Sequence, residues 1–180
     1  TMTKKQRQGQ TITQNAHVVV DIHEAMERWM KVMGIGPFFF MEKIELVDII
    51  YRSEPSHLEV VAALAFAGDL QIELIEQKST EQSIYRDVVP EGKEGFHHIN
   101  IYPDDFESEI ERYTNLGYPI AMTGKVAGSG MRFCFIDTRS VYNCMLELVD
   151  NVAGSEMWAA HRQISNEWDG VTDPVRPISL

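Results

Sequence analysis

Two histidines and two glutamates recur at matched places in the chain, and together they could bind a divalent metal ion. His17 and Glu73 belong to one stretch of sequence, and His98 and Glu147 belong to a second, similar stretch. The separations within the two pairs are 56 and 49 residues, so the stretches are close in length without being identical. Imidazole nitrogens and carboxylate oxygens are ligands that divalent transition metals accept. A metal site is therefore the leading hypothesis.

The surroundings of the two glutamates support this hypothesis. Glu73 and Glu147 each stand between two large aliphatic residues of a predicted strand. Burying a carboxylate among such residues is costly unless a partner compensates its charge. A bound cation would be that partner, and it would leave coordination positions open for water or substrate. The alternative is that both histidines are ordinary core residues and both glutamates face solvent.

The elements that must position these residues are predicted twice in the same order, strand, helix and three strands. The first module covers residues 14–76 and the second covers 96–151, with a polar linker at 77–95 that contains a short helix. A flexible tail at 1–13 precedes them, and a helical extension with a tail follows at 152–180. Modules of this size are marginal alone, so we expect them to pack as one domain. The predicted fold is α+β, with two paired β-α-β-β-β modules forming a curved, half-open mixed sheet around the metal site.

Local signals give the predicted element boundaries. The first helix begins after Asp21, whose spacing to Glu24 is that of a capping box, and ends at Gly34. The second module's helix is capped by Asp104 or Asp105. Strands are predicted at 17–20, 38–51, 58–67 and 71–76 in the first module, and at 98–102, 120–123, 131–136 and 144–149 in the second.

Composition excludes several classes of function. A net charge of −11 argues against nucleic-acid binding, which requires a basic surface. The longest apolar run, at 60–67, is far shorter than the roughly 20 residues that span a bilayer. Cys134 and Cys144 lack a metal-binding spacing and lie in apolar runs, so we expect buried free thiols and a reduced, cytoplasmic setting. The expected partner is a small-molecule substrate.

Several motifs together resemble those of a known superfamily. They are the run Glu-Gly-Phe-His-His-Ile at 94–99, Ile-Glu-Leu-Ile-Glu at 72–76, Leu-Glu-Leu-Val-Asp at 146–150 and Gly-Ile-Gly-Pro-Phe at 34–38. Their order resembles that of the vicinal oxygen chelate superfamily, which contains glyoxalases, bleomycin-resistance proteins and dioxygenases. The chain is most similar to the methylmalonyl-CoA epimerase and glyoxalase branch, over about residues 14–151.

The resemblance implies one divalent ion per chain, which could be Co, Ni, Zn, Mn, Fe or Mg. It implies that the ligands are His17, Glu73, His98 and Glu147. It favours His98 over His97 as the ligand, so His97 is expected to point to the opposite face with a structural or outer-shell role. Superfamily members commonly pair their sheets, and the C-terminal extension offers additional apolar surface, so a homodimer is expected.

The implied function is that of a metal-dependent isomerase or epimerase, or of a glyoxalase-type lyase. Both act by proton transfer next to a carbonyl through a metal-stabilised enolate. By analogy with glyoxalases, Glu147 is the first candidate base; Glu73 is the second, and Glu59 is a possible further partner. Two alternatives stay open: an extradiol-type ring-cleaving dioxygenase with iron bound by two histidines and a carboxylate, and a non-enzymatic drug-binding protein. The substrate is open, because the basic residues are scattered; they are Lys43, Arg52, Lys125, Arg132 and Arg139.

Overall fold

One mixed sheet runs through the parts of the chain that the computed structural model describes, residues 10–150 and 155–178. The strands are β1 (Gln14–Val18), β2 (Phe38–Met41), β3 (Leu46–Tyr51), β4 (Glu54–Pro55), β5 (Val60–Ala67), β6 (Leu70–Gln77), β7 (Gly95–Ile101), β8 (Ile120–Val126), β9 (Arg132–Ile136), β10 (Met145–Asp150) and β11 (Val175–Pro177). The helices are α1 (Ile22–Met33), α2 (Ile84–Val88), α3 (Phe106–Asn115), α4 (Arg139–Tyr142) and α5 (Ser155–Glu167).

The order of strands shows the internal duplication. It is β11-β2-β5-β6-β1-β7-β10-β9-β8-β3-β4. At the centre β1 and β7 are antiparallel, while β6 runs parallel to β1 and β10 runs parallel to β7. The two halves of the sheet are thus related by an approximate two-fold axis between β1 and β7. The prediction of an α+β fold with a curved mixed sheet is confirmed.

The segment 38–51 is not the single strand predicted. It divides into β2, which pairs with β5 in the first half, and β3, which pairs with β8 in the second half. Residues 42–45 carry the chain from one edge of the sheet to the other, with Met41, Ile44 and Leu46 all directed at the same cavity. The connection is possible because the curvature of the sheet brings its two edges near one another. The charged residues at 42–45 mark the break in the sequence, but they do not show that the two strands pair in different halves of the sheet.

Two local capping interactions fix the helices on the outside of the sheet. The side chain of Asp21 accepts hydrogen bonds from the backbone N–H groups of His23 and Glu24 at the start of α1, and Gly34 ends α1 with φ of 67°. Asp105 caps α3 in the same way. Helix α1 packs on the convex side of the first half and α3 on that of the second, each over its own apolar core. A third core fills the concave side and is shared by both halves.

The C-terminal extension returns to the first half of the sheet. Helix α5 lies against β5, and β11 pairs in parallel with β2. Trp168 packs on Gly36, where an added Cβ would lie 2.6 Å from Cζ3 of the indole. Trp158 packs against the concave core. Both tryptophans are therefore used within the chain, and the homodimer stays a prediction.

Two further sequence expectations can be compared with the structure. Cys134 and Cys144 are buried free thiols, as predicted, and burial raises the pKa of Cys134 to about 12. Among residues 10–150 and 155–178, no helix is long and apolar enough to cross a membrane.

Candidate metal centre and active-site cavity

Four neighbouring strands at the middle of the sheet bring polar side chains together on the concave face, among them Gln14 on β1, Glu73 on β6, His98 on β7 and Glu147 on β10. Nε2 of His98 lies 3.2 Å from Oε1 of Gln14. The same nitrogen lies 3.5 Å from Oε2 of Glu73 and 3.3 Å from Oε2 of Glu147. The structure thus brings together Glu73, His98 and Glu147 from the set predicted by sequence.

Strand register explains why these side chains share a face. In the parallel pair of β1 and β6, Ala16 is the partner of Glu73, and Gln14 stands two residues before Ala16. A two-residue step along a strand returns to the same face. The same offset separates His98 from the partner of Glu147 on β7. Gln14 and His98 therefore occupy equivalent positions in the two halves, as do Glu73 and Glu147.

His17 is not part of this cluster. It partners Leu74, which belongs to the core under α1 on the convex side. Its ring makes edge contacts with Trp29, at a centroid distance of 5.0 Å, and with Phe96, at 5.5 Å. Burial, and to a smaller extent the charge of His98, lower its pKa. His17 is thus an aromatic packing residue in this structure.

The sequence contains a signal that identifies Gln14. Each half has an aspartate that caps its helix, Asp21 or Asp105. Seven residues before these lie Gln14 and His98 respectively. Aligning His17 with His98 instead shifts the first strand by three residues, and an odd shift moves a side chain to the opposite face.

His97 lies on the same side of the sheet as His98, so its predicted opposite orientation is wrong. The register between β1 and β7 shifts at this point, leaving His97 as the extra residue of a β-bulge. Its Nδ1 lies 2.8 Å from Nδ1 of His98, and its Nε2 lies 2.8 Å from the carbonyl oxygen of Ile84 at the start of α2. Burial holds the pKa of His97 well below its usual value.

These contacts assign the tautomers of both histidines. The Ile84 carbonyl can only accept, so Nε2–H of His97 donates to it and Nδ1 of the same neutral ring accepts. Nδ1–H of His98 then donates to His97, which leaves Nε2 of His98 with a free lone pair directed at the cluster. A partner that fixes the second nitrogen of a histidine in this way is a regular feature of metal-binding histidines. The outer-shell role expected for His97 fits this arrangement.

The two carboxylates have different environments. Glu73 has a pKa raised well above its usual value, first because it is buried and then because Glu147 is negatively charged. Glu147 accepts a hydrogen bond of 3.1 Å from Nδ2 of Asn100. On the neighbouring strand, Gln14 donates from Nε2 to Oε1 of Gln71 over 2.7 Å, so its own Oε1 is turned towards His98. The cluster therefore presents one free nitrogen lone pair and three side chains with oxygen acceptors.

A cluster of acceptors without a buried cationic partner fits a divalent ion. Ligands at bonds of about 2.1 Å stand roughly 3.0 Å apart in an octahedral shell and roughly 3.4 Å apart in a tetrahedral one. The three distances from Nε2 of His98, 3.2 to 3.5 Å, have this spacing. Within the described residues no group of three or more His, Cys, Asp or Glu side chains is arranged so that it could hold a metal ion by itself. The donors thus match an ion in type and in their spacing around His98, with the amide of Gln14 as the fourth member.

The cluster forms the polar floor of a cavity with apolar walls. The walls come from the flanking strands, from the 42–45 crossing and from α5; they include Met41, Leu46, Leu64, Met131, Phe133 and Trp158. Tyr85 of α2 and Tyr102 after β7 border the floor, and burial raises the pKa of both phenols. Among the described residues that line the cavity, Glu73 and Glu147 are the only carboxylates.

Other residues noted in the sequence lie elsewhere. Glu59 is largely exposed and pairs with His57 at 3.0 Å, so it does not reach the cavity. Four of the five scattered basic residues are ion-paired with carboxylates: Arg52 with Asp87 and Asp137, Arg139 with Asp137, Lys125 with Asp48, and Arg132 with Asp150 and Glu107.

Comparison with known proteins agrees with this architecture. The sequence profile of the Glyoxalase/Bleomycin resistance protein/Dioxygenase superfamily matches residues 13–135, and the chain belongs to this superfamily. No curated protein gives a significant match. The resemblance inferred from the motifs is thereby confirmed at the level of the superfamily.

Solved structures with the same fold include methylmalonyl-CoA epimerases. That of Mycobacterium tuberculosis is 15% identical with a TM-score of 0.55, and the match covers 81% of this chain and 91% of the other. A single-residue variant of the Streptomyces coelicolor enzyme, in complex with 2-nitronate-propionyl-CoA, is 16% identical with a TM-score of 0.56, covering 80% and 96%. A hypothetical protein from Bacillus halodurans C-125 is 19% identical with a TM-score of 0.58, covering 81% and 97%. At these identities the similarity establishes the fold.

Proposed function

We propose that the protein is a metal-dependent isomerase or epimerase that moves a proton on the carbon next to a carbonyl group. The observation that carries the proposal is the pair of carboxylates, Glu73 and Glu147, that flank Nε2 of His98 and line the polar floor of a cavity with apolar walls. A glyoxalase-type lyase would use the same proton transfer and is the close alternative.

Four side chains would hold the ion: Gln14, Glu73, His98 and Glu147. When bound, a divalent ion supplies Lewis-acid stabilisation of the negative charge that develops on a carbonyl oxygen. The protein's own contribution is to fix the donors. Gln71 orients the amide of Gln14, and His97 keeps the lone pair of His98 free.

The two carboxylates suit the proton transfers of an epimerase. Glu73 and Glu147 come from β6 and β10, on opposite sides of the central strand pair, so they approach a substrate on the floor from two sides. A substrate that presents its proton to Glu147 can receive a proton from Glu73 on its other face, and its mirror image reacts in the reverse direction. Burial raises the pKa of Glu73, whereas Glu147 accepts a hydrogen bond from Asn100. Their unlike environments are those of a cooperating acid and base.

The ligand types argue against the dioxygenase alternative. Ring-cleaving dioxygenases bind iron with two histidines and one carboxylate. Since His17 lies on the convex side against Trp29 and Phe96, the cluster contains one histidine.

The test is exchange of the substrate proton with solvent deuterium. Single enantiomers of 2-substituted acyl thioesters and 2-oxo acids would be incubated in heavy water with the protein and a divalent ion, and followed by NMR. Glu147→Gln and Glu73→Gln are each expected to abolish inversion, and each is expected to slow exchange of one enantiomer by about 10²- to 10⁴-fold while the other still exchanges. Glu59→Gln, the same change at an exposed carboxylate, is the control.

The outcomes distinguish the alternatives. Undiminished inversion in both cavity variants would show that other groups carry the proton. Oxygen consumption with a catechol and no exchange would support a dioxygenase. Tight binding of an aromatic drug without any exchange would support a sequestering protein.

A further inference from the structure

The walls of the cavity and its floor differ sharply in chemistry. The polar groups lie on the four central strands and on the neighbouring residues Tyr85 and Tyr102, whereas β2, β5, β8 and β9 contribute apolar side chains and α5 contributes Trp158. The lining residues in the described part of the chain include no Lys and no Arg. A ligand whose oxygens reach the floor must therefore place the rest of its acyl body against alkyl and aromatic side chains.

On this basis, and resting on the proposed function, we infer that the substrate is a small carbonyl compound whose acyl body is uncharged, short or branched alkyl, and that Trp158 determines this preference. Among residues 10–150 and 155–178, none of those that line the cavity is a Lys or Arg that could bind the phosphates of a coenzyme A ester. Arg52 and Arg139 are bound to Asp87 and Asp137.

The size of the cavity sets the size of the acyl body. Its volume is about 100 Å³. An apolar protein cavity of roughly 150 Å³ holds one benzene molecule. The cavity here thus suits a branched group of a few carbons and is too small for a substituted aromatic ring unless a wall moves.

Trp158 is the wall residue best placed to set this limit. It lies on α5, which follows the profile-matched residues 13–135 and rests on β5. Its indole packs against the concave core and lines the cavity. A large aromatic side chain at the edge of a cavity restricts its size, so replacing it with a small one should enlarge the space for the acyl body.

The experiment compares three thioesters by equilibrium titration in the presence of a divalent ion. They are 2-methylbutanoyl-N-acetylcysteamine, which is uncharged, 2-methylbutanoyl-coenzyme A, and 2-phenylpropanoyl-N-acetylcysteamine. The native protein should bind the first two with affinities within about threefold, and the phenyl compound at least tenfold more weakly. Trp158→Ala should reverse the preference between the alkyl and phenyl compounds. Trp168→Ala, the same change in the same C-terminal segment but outside the cavity, should not.

Each result bears on the inference. Coenzyme A ester binding at least tenfold tighter than the uncharged ester would overturn it, as would an unchanged alkyl-to-phenyl ratio in Trp158→Ala or no binding of any compound. The titration measures binding and does not depend on proton transfer. If the three compounds bind with the expected selectivity but none of them exchanges its proton, the proposed function is refuted and this inference stands. If the protein exchanges the substrate proton, but the relative exchange rates of the alkyl and phenyl compounds are the same in Trp158→Ala as in the native protein, only this inference is refuted. If Trp158→Ala does not fold, Trp158→Leu, which keeps a smaller apolar side chain at the same place, is compared with the native protein in its stead.

Discussion

Replacing Gln14 and His17 separately tests the placement of the first strand and of the metal centre with it. Sequence resemblance names His17 as a ligand, whereas the structure directs Gln14 at Nε2 of His98, 3.2 Å away, and His17 at the opposite side. Both residues lie on β1, three positions apart, so substitutions there disturb the same strand. The two variants are thus matched controls for one another.

The two variants are expected to differ in their effect on metal affinity. Gln14→Ala removes one of four donors and should weaken Mn²⁺ or Co²⁺ binding at least tenfold. It also removes the partner of the buried Gln71 side chain, so it should lower the free energy of unfolding by about 1–3 kcal/mol. His17→Ala should leave the affinity within about twofold. It removes ring contacts with Trp29 and Phe96, so it should lower the free energy of unfolding by about 1–3 kcal/mol.

Calorimetric titration of metal-free protein measures the affinities, and urea unfolding of the same samples measures stability. His98→Ala serves as the reference for a lost central ligand, with metal content at least tenfold lower and the fold retained. A tenfold loss of affinity in His17→Ala together with unaltered affinity in Gln14→Ala would refute the strand register and the ligand set.

Two further predictions concern stability. His97 is buried and neutral, and its pKa is lowered, so on acidification the unfolded chain is protonated at this residue at a higher pH than the folded chain. The contribution of His97 to the free energy of unfolding is therefore complete above about pH 6.5. Below that pH it is lost by up to about 1.4 kcal/mol per pH unit. The raised pKa of Glu73 changes stability with pH in the opposite direction, so the test compares variants and does not rest on the native protein alone. His97→Gln should reduce the dependence of the free energy of unfolding in urea on pH between 7.5 and 5.0. His57→Gln, the same change at an exposed histidine, should leave that dependence unaltered. Gly36→Ala would put a Cβ 2.6 Å from Trp168 and should cost about 1–3 kcal/mol with altered tryptophan fluorescence. Gly95→Ala meets only an ordinary 3.4 Å contact and is its control; equal destabilisation by both would contradict the reasoning.

The features that sequence predicts well are those set by near neighbours. Asp21 and Gly34 delimit α1 because each satisfies or redirects backbone groups within one helical turn. The turn at Gly68 and Asp69 separates β5 from β6 as predicted, since its chemistry is also local. The positions of Glu73 and Glu147 beside His98 also agree with the sequence, because a lone carboxylate in an apolar strand is visible in the sequence itself.

The features that sequence missed depend on distant partners. The break after Met41 depends on the curvature of the whole sheet, which brings β3 to β8. The orientation of His97 depends on a bulge opposite β1, and two adjacent histidines give no indication of which one is the extra residue. The contribution of Trp158 to the cavity depends on where α5 packs on the sheet, against β5, and the sequence of α5 does not specify this position.

The approximate two-fold symmetry of the cluster yields a second prediction at Gln14, for a substitution that should maintain or increase metal affinity. Gln14 and His98 are equivalent by register, yet one offers an amide oxygen and the other an imidazole nitrogen. Gln14→His would make the two halves alike, with two histidines and two glutamates, a donor set better suited to Co²⁺ or Zn²⁺ because these metals bind imidazole well. Co²⁺ should therefore bind Gln14→His at least as tightly as the native protein, and its visible absorption should shift with the added nitrogen ligand. Adding His17→Ala to that variant should change neither property, because the new ligand lies on the concave face. Loss of Co²⁺ affinity in Gln14→His, or dependence of the shifted spectrum on His17, would show that the concave face does not carry the site.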